Sequence, residues 1–208
     1  MSKRVYISAD YAQNSGDRDV VDILHYWGTD NKHQTDFVDT ASVVSGSVSR
    51  NPDCRSCDLK AEFNRQINAS SAVIIVIGDK TASRTAGSGC QRNELEWYEC
   101  PCTPYKQNAK GTTFCKCHST HHVDPYGDIG NINSFSYIRH EFVEAEQRGK
   151  NIIVVYNSFY RQPSWLPGYM EAYENDAQPF WIYDSYGRKA GNYLLIKNAL
   201  GYGQEDFS

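Results

Sequence analysis

Three groups of residues in this chain have types and spacings that can do chemistry. The first is a run of cysteines and histidines. Cys100-Pro101-Cys102 and Cys115-Lys116-Cys117-His118, with His121 and His122 close behind, put thiolates and imidazoles within a short stretch. These are the donors zinc prefers. Cys100, Cys102, Cys115, Cys117 and His118 are therefore candidate ligands of a structural tetrahedral zinc, which would order a segment poor in apolar residues. The spacing is C-x-C rather than C-x2-C, and Cys90 or the Cys54/Cys57 pair could supply ligands instead. A loop of free thiols is the competing reading. A redox role for Cys54-Arg55-Ser56-Cys57 would draw on the thiol acidity found at a helix N-terminus, but no strand precedes it.

The second is a lone carboxylate. The run Ser136 to Arg148 reads as a helix with Ile138, Phe142 and Ala145 on its core face. With Ile138 at the centre, Glu141 falls about 60° to one side at about 100° per residue. A carboxylate at that border is partly desolvated and held rigidly by the helix, as a catalytic carboxylate needs to be. Periodicity alone leaves open an exposed residue paired with Arg148 or Arg139.

The third group lies at the ends of apolar runs: Ser8-Ala9-Asp10-Tyr11, Asp39-Thr40-Ala41-Ser42, Gly78-Asp79-Lys80-Thr81 and Tyr156-Asn157-Ser158. In an open parallel sheet, ligands bind beyond the carboxyl ends of the strands. Strand ends are commonly polar, but four small polar ends together favour a site.

The elements that would position these groups alternate strand and helix. Val5–Ile7, Asp36–Asp39, Ala72–Gly78 and Ile152–Tyr156 read as strands. The third and fourth are continuous β-branched runs of the kind buried on both faces of a parallel sheet. Asp17 can cap a helix to about Trp27, and Leu59, Phe63 and Ile67 mark a second from about Asp58 to Ala69. A last strand at Phe180–Tyr183 and a helix at Tyr193–Leu200 would complete an α/β sheet. Residues 157–178 read as loop with room for a short helix. Residues 85–134 interrupt the pattern between the third strand and the glutamate-bearing helix, far beyond the ~2–6 residues of an ordinary connection. They form an insertion in one domain spanning 1–208.

Composition sets outer limits. The 208 residues carry a net charge of −4, with 40% hydrophobic and 22% charged residues. That fits a globular domain and argues against nucleic-acid binding through bulk charge. No run approaches the ~18–20 apolar residues of a membrane helix. The start, Met1-Ser2-Lys3-Arg4, has no apolar h-region, and the seven cysteines are an odd number, so a cytoplasmic chain without a disulfide framework is expected. No GxGxxG loop suggests a Rossmann dehydrogenase.

The order and spacing of several segments resemble the TIR-like proteins of bacterial Thoeris anti-phage systems. They are Lys3-Arg4-Val5-Tyr6-Ile7-Ser8, Phe37-Val38-Asp39, Val73–Gly78 with Thr81, and Tyr137-Ile138-Arg139-His140-Glu141 running into Arg148–Ile153. The likeness covers about half the chain, residues 3–84 and 135–158. It implies a flavodoxin-like open parallel sheet with helices on both faces. It further implies an enzyme that cleaves NAD at the nicotinamide–ribose bond with Glu141, and cyclises the ADP-ribose product into a signal. Ser8 and Asp39 would hydrogen-bond ribose or phosphate, Tyr6 and Tyr11 would stack, and Asp10 would complete the substrate set. The implied partners are an effector that responds to the nucleotide, a phage-derived trigger and further copies of the chain. Two other readings remain: a non-catalytic TIR-like interaction domain, and a receiver-like or nucleotide-binding module using Asp10, Asp39 and Lys80. The 85–134 insertion departs from compact members of the family and could cover the site or dock a partner.

Overall fold

The computed structural model describes residues 2–10, 15–31, 33–39, 52–84, 106–107, 113–114 and 136–203. Contacts group the chain into two units. Met1–Asp39, Ile67–Arg84 and Ala145–Ser208 form the first, and Thr40–Gln66 with Thr85–Glu144 form the second.

The first unit is built on a parallel sheet. Its strands are β1 (Arg4–Ser8), β2 (Asp36–Asp39), β3 (Ala72–Ile77), β6 (Asn151–Tyr156) and β7 (Gln178–Pro179). Their spatial order is β2-β1-β3-β6-β7, all parallel. This α/β arrangement is compatible with a flavodoxin-like fold, whose ligand crevice opens where the strand order reverses, here between β1 and β3. β3 is buried at every position, as its unbroken AVIIVI run requires.

Alternation along the strands divides the sheet's two faces. Val5, Ile7, Ala72, Ile74, Val76, Ile153 and Val155 share one apolar cluster with Val20, Val21 and Leu24 of helix α1 (Asp17–Trp27). Ile196 of helix α4 (Tyr193–Ala199) and Leu200 just beyond it join the same cluster. Each Val, Leu or Ile side chain buried in this way contributes about 1.5–3 kcal/mol of hydrophobic stabilisation. Tyr6, Ser8, Val73, Ile75, Ile77, Val154 and Tyr156 point to the other face and are also buried.

Two expectations need correction. Phe180–Tyr183 does not extend the main sheet. The strand that joins β6 is the two-residue β7, and β8 (Trp181–Tyr183) turns away to pair antiparallel with β9 (Lys189–Gly191). The intervening Phe180 is spent on the core, while its backbone N–H reaches the Tyr156 carbonyl at 2.9 Å. Helix α2 runs from Pro52 to Ala69, not from Asp58. Pro52 suits a first helical turn, and Cys54 and Cys57 then lie within the helix rather than ahead of it. Residues 157–178 contain 3-10 turns at Pro163–Trp165 and Gly168–Tyr173.

The second unit contains most of α2 and most of helix α3 (Tyr137–Gln147). His140 Nε2 and Asn64 Oδ1 lie 2.6 Å apart, and Tyr137 meets Phe63 edge-on at 5.6 Å, so the two helices are joined by a polar and an aromatic contact. Within the insertion, β4 (Lys106–Gln107) and β5 (Thr113–Phe114) pair antiparallel. Among the described residues no helix is long and apolar enough to cross a membrane.

Candidate active site

The carboxyl ends of β1, β3 and β6 converge on Asp17, a residue that local sequence reads only as a helix cap. The cap position belongs to Gly16, whose φ of 73° is left-handed. Asp17 is the first helical residue, and its side chain turns inward. It is completely buried. Asn157 Nδ2 donates to its Oδ1 at 2.9 Å, and the Asp10 backbone N–H donates to its Oδ2 at 3.3 Å. Asn157 is itself held at both ends of its amide, donating also to the Ser15 carbonyl at 3.3 Å and accepting from Trp181 Nε1 at 2.7 Å. Gly78 completes the pocket: a Cβ there would lie 2.8 Å from Asp17 Oδ1, so only glycine lets the carboxyl group in.

Burial is the main cause that raises the Asp17 carboxyl to about 7, with the negative charges of Asp10 and Asp79 adding to it. The hydrogen bonds from Asn157 and from the Asp10 backbone pull the other way. Near neutral pH this group is therefore divided between acid and carboxylate. The Asp10 carboxylate accepts from Arg84 Nε at 2.8 Å, while Lys80 is exposed. Thr81 closes the β3 end by accepting from the Gly78 N–H at 2.8 Å.

Asp39 ends β2, buried, with His25 Nε2 3.0 Å from its Oδ2. That bond is the largest of the effects raising the affinity of the half-buried imidazole for a proton. Ser8 and Tyr6 are buried on the sheet face opposite the α1 side. No family model, curated protein or solved structure matches the chain. The functional argument therefore stays with the chemistry of these groups.

Glu141 belongs to the second unit and is 1% exposed, which excludes the surface-residue reading. Its place on the helix also differs from the expected border. Ile138, His140, Glu141, Phe142, Glu144 and Ala145 are all buried, whereas Arg139, Glu146 and Gln147 are exposed. At about 100° per residue the buried residues cover an arc of about 200°, and Glu141 sits at its middle. Hydrophobicity could not show this, because half of that arc is made of polar residues.

Of the residues singled out from sequence, the structure places Ser8, Asp10, Asp39 and Tyr6 in the first unit and Glu141 in the second. Tyr11 and the candidate zinc ligands Cys100, Cys102, Cys115, Cys117 and His118 lie outside the described residues. Among the described residues no group of three or more His, Cys, Asp or Glu side chains could hold a metal ion. Asp17 and Asn157 were missed as site residues. Asn157 was visible as part of a polar strand end, but Asp17 had no local signal, because its partners come from three other segments.

Proposed function

We propose that this chain is a TIR-like enzyme that cleaves NAD, releases nicotinamide and makes a cyclic ADP-ribose-type signal in anti-phage defence. The observation that carries the reading is Glu141, a carboxylate at the centre of the buried arc of α3. Burying a carboxylate costs stability, and such groups concentrate where charge is used. The Tyr-Ile-Arg-His-Glu segment that resembles the Thoeris family ends on this same residue.

Nicotinamide in NAD is already a cationic leaving group, so no strong acid is needed. The C1′–N bond breaks with its electron pair going to the nicotinamide nitrogen. Positive charge develops on the ribose ring, and an anionic carboxylate stabilises it, as in glycoside hydrolysis. A hydroxyl of the same molecule then bonds to C1′ and loses its proton, closing the ring. Water at that step would give open ADP-ribose, so exclusion of water selects the cyclic product. In this scheme Glu141 is the stabilising carboxylate. Ser8, Asp10 and Asp39 bind ribose and phosphate groups, and Tyr6 and Tyr11 bind through their rings. The product would act on a separate effector, after a phage-derived trigger and with self-association of the chain.

Glu141→Gln is expected to fold like the parent and to lose NAD turnover by at least about 100-fold, read by mass spectrometry of the nucleotide products. Unchanged turnover would reject the assignment. A second reading, a nucleotide-binding or receiver-like module without turnover, draws on Asp10 and Asp79 at the ends of β1 and β3, whose charges act on the buried Asp17. It calls for NAD that binds and is recovered intact from the wild-type chain. The other non-catalytic form, a TIR-like interaction domain, calls for neither binding nor turnover.

A further inference from the structure

Tyr156 ends β6 on the same sheet face as Ser8. Register places it one step further toward the carboxyl rim. Ser8 is opposite Ile75, and Ile75 is opposite Val154, whereas Tyr156 is opposite Ile77. At about 3.3 Å per residue, the offset along the strands is about 7 Å. Tyr156 is completely buried, and its hydroxyl has no hydrogen-bond partner among the described residues. Its backbone carbonyl is satisfied by the Phe180 N–H at 2.9 Å, so the phenol alone is left over. Leaving a buried hydroxyl unpaired is unfavourable, and native chains seldom do so without a reason.

The surroundings indicate what the hydroxyl would accept as partner. Burial is the chief effect on the phenol and raises its pKa above the ordinary value, while the charges of Arg161 and Glu174 act in opposite senses. An unpartnered phenol donor at the carboxyl rim of a parallel sheet, where nucleotide ligands bind, suits a phosphate oxygen. We infer, resting on the NAD-cleaving reading above, that the Tyr156 hydroxyl is a substrate-binding group that donates a hydrogen bond to a pyrophosphate oxygen of NAD. A hydroxyl already stripped of water has no hydration to lose when the substrate arrives, so the whole bond counts toward affinity. The strand end carrying Tyr156 was recognisable in the sequence as polar. That its hydroxyl is buried and unpaired was not.

Tyr156→Phe separates this role from a structural one. Removing an unpaired hydroxyl should leave the thermal midpoint of the free chain unchanged or raise it. At the same time KM for NAD should rise about 10- to 100-fold with kcat within about threefold, because a charge-assisted bond made equally in ground and transition states is lost. ADP, which carries the pyrophosphate without the nicotinamide ribose, should lose potency as a competitive inhibitor by the same factor. A lowered midpoint, an unchanged KM or an unchanged ADP inhibition constant would each overturn the inference. If Glu141→Gln still abolishes turnover in that case, the enzymatic reading survives. A wild-type chain that neither binds nor cleaves NAD overturns both.

Discussion

At the scale of single residues, Asp17 and His25 make the molecule's stability depend on pH in the same direction. An aspartate carboxyl titrates near 3.9 in an unfolded chain, and folding raises this one to about 7. The folded state therefore holds the Asp17 proton more tightly. The stabilisation this brings is complete below about pH 4 and is lost as pH rises through 7. His25, held by Asp39, has a folded value above its ordinary one. Its contribution is present below about pH 6.5 and disappears as pH climbs through the raised value. Thermal midpoints of the wild-type chain should therefore fall between pH 5 and pH 8. Asp17→Asn keeps an amide oxygen for Asn157 but does not titrate, so its curve should be flatter, by an amount on the order of 4 kcal/mol at most. Parallel curves for the two proteins would show that Asp17 keeps an ordinary carboxyl. Nothing within the first helical turn foretells this behaviour, since the burial comes from Gly78 and Asn157, more than 60 residues away in sequence.

At the scale of elements, the sheet was readable because β3 and β6 are two-sided and their apolar runs are unbroken. The hairpin of β8 and β9 was not, because its fate turned on Phe180 being claimed by the core one residue earlier. Helix α4 shows the same division. Its span followed from the sequence, but the surroundings of its lysine did not. Lys197 is completely buried, and its Nζ lies 3.5 Å from Asp30 Oδ2 and 3.3 Å from Thr35 Oγ1. Asp30 also accepts from the His33 backbone N–H at 2.9 Å and from the Tyr193 hydroxyl. This cluster ties the segment after α1 to α4. Burial lowers the proton affinity of Lys197, and Asp30 offsets part of that. Lys197→Met removes a costly charge and keeps the volume, so its unfolding free energy should stay within about 1 kcal/mol of wild type or exceed it. Asp30→Ala strips the buried ammonium of its counter-charge and should cost about 3 kcal/mol or more. Urea unfolding of both variants checks the pair. Equal losses in the two would mean that Lys197 contributes net stability rather than merely being tolerated.

At the scale of the whole chain, five of the seven cysteines fall between residues 90 and 117, inside a 50-residue interruption of an otherwise regular strand–helix alternation. A connection of that length has to be compensated. Ordinary α/β loops need ~2–6 residues, and this one brings little apolar surface with which to build its own core. Metal ligation is a route available to such a composition, since a structural zinc in small domains contributes on the order of 10 kcal/mol. Thiolates and imidazole in Cys100, Cys102, Cys115, Cys117 and His118 form a donor set that suits zinc over the oxygen-seeking cations. Purified protein should then carry about one zinc per chain by elemental analysis. Stripping it with a chelator should lower the thermal midpoint, and a Cys115→Ser, Cys117→Ser double variant should lose the metal. The five-stranded sheet is closed by its own hydrogen bonds and apolar faces, so the far-ultraviolet signature of strands should outlast the metal. Protein that contains no zinc, and whose melting is indifferent to chelation, would leave the cysteines as free thiols and reject the zinc site.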